Sequence, residues 1–288
     1  MLKDRKLTVG NLIGAAPVRV ILTWILTLAE TAITALVPLF IGFAIDGLLD
    51  NDSSDLINLG GLLAALIVLA VGRRIYDTRV YGTLRAELSG ELVERRKGEE
   101  ISATNARVGM GRELVDFLEE EVPEVLTSVV QLLVSLIILY WFHPMLSVSA
   151  LGASVLVVLI YLASHRRFYR LNGELNAQTE LQVGVLQSGS SRKSRAHFLS
   201  LRRVEIRLSD TEAIIYGLIF FVLLAFILFN LRFAATEMEA SVGSIFSIVS
   251  YSWEFVAATL VLPATLQSWT RLSEIMKRIN QNPSSPQE

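Results

Sequence analysis

The chain has 288 residues, of which 52% are hydrophobic and only 19% charged, with a mean hydropathy of +0.50. That is too apolar for an ordinary soluble domain of this length and points to a membrane protein. The net charge of -2 says little, because the placement of Lys and Arg matters more than their sum in such a protein. The absence of Cys excludes disulfides, thiolate nucleophiles and Cys-ligated metals. His143, His165 and His197 stand far apart without ligand spacing, so no metal site and no cofactor are expected.

A transmembrane helix needs about 20 mostly apolar residues to cross a hydrocarbon core of roughly 30 Å. Six stretches meet that length, at residues 18–49, 56–74, 123–142, 144–166, 210–232 and 240–270. The first follows Lys3, Arg5 and Lys6, but its apolar run is longer than the roughly 7 to 15 residues of a signal peptide, so it reads as a retained helix. Short loops separate alternate spans: "DNDSSD", "FHP" and "RFAATEME". Of the 26 Lys and Arg, only Arg232 lies on that side; the rest crowd the N-terminus, residues 73–112, residues 166–207 and the tail after Arg271. The positive-inside rule then predicts a multi-pass protein of the cell (inner) membrane with both termini and both long loops cytoplasmic.

Those long loops read as helical. Val80, Leu84, Leu88 and Leu92 recur four apart among charged neighbours, which extends span two into the cytoplasm as the first arm of a hairpin. Its reversal is predicted around "ISATNARVGMG", where Gly109 and Gly111 permit a turn. Residues 165–212 form a second hairpin reversing near "LQSGSSRKS", and the tail at 281–288 reads as disordered.

This layout resembles the transmembrane domain of ABC exporters, the type-1 six-helix domain, over residues 1–280. "PLFIGFAIDGLLD", with Pro38 freeing a backbone carbonyl and Asp46 at the outer rim, resembles the end of that family's first helix. "GRELVDFLEEEVPEVL" resembles the start of its third, and "SVGSIFSIVSYSWEFVAATLVLPATLQSWTRLSEIMKRI" its sixth with the exit segment. The resemblance implies an all-α integral membrane six-helix bundle, dimeric with swapped helices, so that a homodimer with twelve spans surrounds one pathway. Two departures stand out. The chain contains no G-x-x-x-x-G-K-[ST] phosphate loop and ends at Glu288, so it is not expected to be an enzyme or to hydrolyse ATP by itself. The second hairpin is also shorter than the family pattern implies, which weakens the case for an ATPase docking there.

Polar residues inside the spans carry the functional expectations. At a rise of 1.5 Å per residue, Glu30 lies roughly 24 Å from Asp46, Glu254 roughly 22 Å from Glu239, and Arg73 and Arg74 roughly 27 to 29 Å from Asp55. These similar depths predict one polar layer in the inner half of the membrane. Thr23, Thr27, Glu30 and Thr34 share a helical stripe, as do Ser247, Ser250, Tyr251 and Glu254, and Thr127, Gln131 and Ser135 form a third. An ionised group at mid-span costs at least ~2.5 to 3.5 kcal/mol, so these stripes turn from lipid and either line water or join helices. Glu30 and Glu254 either couple protons and touch substrate or only glue helices. Arg73 and Arg74 either snorkel at the inner interface or bind an anionic substrate or lipid headgroup, with Asp77 as their ion-pair partner. Tyr140, Trp141, Trp253 and Trp269 read as interfacial or packing aromatics. The basic run "SRKSR" suits anionic lipid better than nucleic acid, and "GMG" lacks the context of a dinucleotide site.

Three functions stay open on sequence. One is a proton-coupled transporter of a small or amphipathic solute without its own ATPase. The second is a permease subunit of an ABC transporter, energised by a separate ATPase that docks near Thr104, Asn105, Arg107, Arg192, Lys193 and Arg195. The third is a non-transporting membrane assembly or regulatory partner.

Overall fold

The described residues fold into helices alone, in the order α1 (Val9–Ala15), α2 (Pro17–Leu49), α3 (Ser54–Arg95), α4 (Ile101–Asp116), a π-helical turn (Phe117–Glu121), α5 (Val122–Phe142), α6 (Pro144–Gln187), α7 (Ser191–Thr236) and α8 (Val242–Asn280). The computed structural model describes residues 9–95 and 101–280, apart from the side chains at 15, 95, 103, 262–275 and 277–280. The predicted tail at 281–288 and the side chain of Trp269 fall outside these. Among the described residues, six helices are long and apolar enough to cross a membrane.

Local chemistry sets several boundaries. Pro17 and Pro144 open α2 and α6, where the absent N–H would have had no intrahelical partner. His143 caps α6 by accepting the Met145 N–H on Nδ1 at 3.1 Å. Asp52 accepts the Ser54 N–H at 2.9 Å and the Ser54 hydroxyl at 2.9 Å at the start of α3, and those two bonds hold its carboxyl below the usual carboxylate range. Gly189, at φ +61°, makes the tight reversal between α6 and α7 in the segment expected from sequence.

The helices form two compact units. One comprises residues 1–141 and 238–288, the other Phe142–Glu237. In the first unit α2 packs on α3 and α8, and α3 packs on α4. Its apolar core gathers Leu12 and Val20 with Val80, Tyr81, Leu84, Leu88 and Leu92 of α3 and Leu114, Val115, Phe117 and Leu118 of the facing helix. The four-residue repeat of α3 therefore does what its spacing predicts: each of those aliphatic side chains is buried, a gain of about 1.5 to 3 kcal/mol apiece where the hairpin stands in water.

The glycines expected to turn the first hairpin do not turn it. Gly109 and Gly111 lie inside α4, and residues 96–100, between α3 and α4, are outside the described set. Gly111 serves close packing instead: a Cβ there would meet Leu92 Cδ1 at 2.6 Å and Leu88 Cδ2 at 3.4 Å. A glycine under a neighbouring leucine keeps its helical backbone and lets the two helices approach.

The second unit is the long hairpin of α6 and α7. Leu146, Ala150, Ala153 and Val157 pack in the same hairpin as Ile215, Ile219, Leu223 and Phe226, all buried. At its apolar end Ser149 donates to Asn230 Oδ1 at 2.7 Å, a polar tie between the two arms.

Candidate functional site

Two polar regions occupy the first unit. The first lies where α2 crosses the start of α8. Gly42 and Gly243 meet there so closely that a Cβ on either would collide with the backbone of the other. Asp46 accepts the Gly243 N–H on Oδ1 at 2.8 Å and the Ser241 hydroxyl on Oδ2 at 2.5 Å, which caps α8 from another helix. One turn or more deeper, Ser247 donates to the Pro38 carbonyl at 2.9 Å and Tyr251 to the Ala35 carbonyl at 2.7 Å. Pro38 has no N–H for the Thr34 carbonyl. The hydroxyls of α8 bind the carbonyls beside that gap.

The second region is built around Arg73. Its Nε and Nη2 donate to Glu30 of α2, the latter at 3.4 Å, and its Nη1 donates to Asp77 Oδ2 at 3.0 Å. Asp77 is 5% exposed, and its Oδ1 has no hydrogen-bond partner. Two carboxylates thus share one guanidinium. Asp77 also feels Arg74 on its own helix and Glu119 on the π-helical turn.

That turn has a plain cause. Pro123 cannot donate to the Glu119 carbonyl, and the helix widens so that the Val122 N–H reaches the Phe117 carbonyl. The widened turn lies against α3. Tyr81 donates to the Leu118 carbonyl at 3.0 Å and lies 2.9 Å from the Thr23 hydroxyl, which itself donates to the Val20 carbonyl at 2.7 Å. Two hydroxyl hydrogens serve three contacts, so one contact always lacks its proton. Arg85 completes the joint by bonding Asp116 at 2.7 Å and Glu119. Trp24 Nε1 on α2, Glu121 Oε2 on the turn and Glu254 Oε2 on α8 are also buried without hydrogen-bond partners.

The expected polar layer is therefore only partly assembled. Glu30, Arg73 and Asp77 come together, whereas Glu254 is half-buried on α8 and makes no described bond to them. Arg74 is exposed, because it follows Arg73 by 100° around α3, and Gln131 is half-buried on α5. The stripe on α2 runs through Thr31 rather than Thr34: Thr23, Thr27 and Thr31 are buried, and Thr31 lies 3.1 Å from Thr127 of α5. Thr27 and Thr31 also bond back to the carbonyls of Thr23 and Thr27, so this stripe joins helices. Trp253, Tyr140 and Trp141 are exposed. Of the residues expected at an ATPase contact, Asn105, Arg192, Lys193 and Arg195 are exposed, while Thr104 and Arg107 are half-buried.

Sequence reasoning did not single out Tyr81, Thr31, Arg85, Glu119 or Glu121. The available signal was "FLEEEVP", a proline two residues past an acidic run inside a helical pattern, which predicts a local distortion with freed carbonyls.

Beside Arg73 runs an open apolar groove of about 540 Å³ between α2 and α3, lined by Leu26, Ala65, Val68, Leu69, Gly72 and Arg73 itself. Among the described residues no group of three His, Asp or Glu is arranged to hold a metal ion.

No curated protein matches the chain. A family model described as an ABC transporter transmembrane region matches residues 14–243. With six apolar helices of membrane-spanning length, a multi-pass protein embedded in a bilayer, the chain belongs to the family of ABC transporter transmembrane regions, whose function is membrane transport.

Proposed function

We propose that the chain is one half of a homodimeric, proton-coupled transporter of a small or amphipathic solute, working in the inner membrane with both termini cytoplasmic and the six-span domain extending over residues 1–280. The observation that carries this reading is the cluster of Glu30, Arg73 and Asp77, where two acids share one guanidinium and Asp77 keeps a bare buried oxygen. Withdrawing a carboxyl from water favours its neutral form, so a proton is the simplest way to fill such an oxygen. Glu254, also with a bare oxygen, is the second proton site. A transported group that engages Arg73 releases Asp77, which takes a proton from water; departure of the solute restores the ion pair.

Liposomes holding the purified chain, with an imposed pH gradient and no nucleotide, test this. Gradient-driven uptake of labelled amphipathic solutes is expected, lost in Asp77→Asn and in Glu254→Gln. Uptake that ignores the gradient and requires an added ATPase overturns it.

That overturning result is the second reading, a permease subunit energised by a separate ATPase. Membership of the family favours it, because such transmembrane regions work with ATPase domains. Exposed Asn105 on α4 and exposed Arg192, Lys193 and Arg195 at the start of α7 offer polar surface for that contact.

A further inference from the structure

The groove between α2 and α3 is apolar along its length but is continued by cations in register with it. On α3 the lining residues Ala65 and Gly72 stand seven apart, and the next position in that series is Arg79. On α2, which runs antiparallel, the lining residue Leu26 is followed seven residues towards the N-terminus by Arg19. Seven residues is two helical turns to within about 20°, so Arg19 shares the face of Leu26 and Arg79 that of Gly72, each about 10 Å further along its own helix. Both are exposed. Arg74, by contrast, stands about 160° around α3 from Gly72 and belongs to another face.

Depth agrees with this division. From Asp55, Gly72 is roughly 26 Å along α3 and Arg79 roughly 36 Å, against a hydrocarbon core of roughly 30 Å. The groove thus lies in the acyl region and Arg79 in the headgroup layer. The acids Glu30 and Asp77 are both held by Arg73 of the groove lining. Space is available as well, since a Cβ added at Gly72 would meet no atom within 4 Å.

We propose that this groove is a site for an anionic phospholipid of the surrounding bilayer, with an acyl chain along Ala65, Val68, Leu69 and Gly72 and the phosphate between Arg19 and Arg79. The lipid's negative head selects it over zwitterionic lipids, and the small residues of α3 admit its chain. This inference is independent of the proton-coupling reading.

Native mass spectrometry of the detergent-purified chain titrated with phosphatidylglycerol or phosphatidylcholine of the same acyl chains tests it. Two surface arginines predict a preference for phosphatidylglycerol of about thirtyfold. Arg19→Gln with Arg79→Gln brings the two lipids within about threefold of each other, Arg74→Gln leaves the preference intact, and Gly72→Leu, which fills open space, weakens both lipids. Equal binding of the two lipids to the unaltered chain, or a preference that survives the double arginine variant, overturns the site. So does a chain that binds neither lipid and dissociates from a dimer on Gly72→Leu, which identifies a second copy as the occupant. The assay involves no gradient and no transported solute, so its failure and that of the coupling reading are separable.

Discussion

Within the first unit, Asp46 and Asp77 are both carboxylates at helix contacts, but their surroundings differ. Asp46 has both oxygens bonded, beside two glycines in backbone contact and two proline-region carbonyls each taken by a hydroxyl. Asp77 shares its only described partner with Glu30 and leaves one oxygen bare, near a widened helical turn where two hydroxyl hydrogens serve three contacts. A fully satisfied polar contact fixes two helices in one arrangement, whereas an unsatisfied one changes partners at little cost. The crossing at Gly42 and Gly243 reads as a fixed joint, and the cluster at Arg73 as the part able to respond.

The contrast is most severely tested at the joint. Gly243→Leu drives a side chain into the Gly42 backbone, where no rotamer relieves the contact, and is expected to destabilise by about 3 kcal/mol or more in a detergent melt. A variant that melts like the unaltered chain breaks the comparison. Tyr81→Phe removes the donor to the Leu118 carbonyl and is expected to cost about 1 to 2 kcal/mol, with faster hydrogen exchange around residues 117–122. Thr31→Val deletes one hydroxyl contact between α2 and α5, and averages for such bonds in membranes predict only about 0.6 kcal/mol. Asp52→Ala has the smallest effect. Because the Asp52 carboxyl is lowered in the fold, its contribution is present above the unfolded-state value and lost as pH falls through the folded one, so the variant and the parent should melt alike at acid pH.

The all-helical architecture was legible because span length and four-residue spacing are direct records of burial: Val80, Leu84, Leu88 and Leu92 are buried as their spacing requires. The pairing of Arg73 with Asp77 was legible for the same reason, as an i, i+4 relation on one helix. Glu30 joined them because similar depth counts place residues of neighbouring spans at one level. Depth does not fix azimuth, however, so the same counting put Arg74 and Glu254 into a layer with which they make no described bond. Gly109 and Gly111 misled in a similar way, because glycine marks either a turn or a close approach and only the facing Leu92 decides. The widened turn at Phe117–Glu121 was beyond periodicity, since Pro123 acts through a single missing N–H.

The central claim is that Asp77 and Glu254 hold protons that respond to what Arg73 binds. Infrared difference spectroscopy of the chain in vesicles, stepping from alkaline to acid pH, reads protonated carboxyls directly. A carboxyl band that appears with acidification, loses one component in Asp77→Asn and another in Glu254→Gln, is the predicted result. A spectrum in which neither substitution removes any part of that band contradicts the claim and leaves both acids as structural ties.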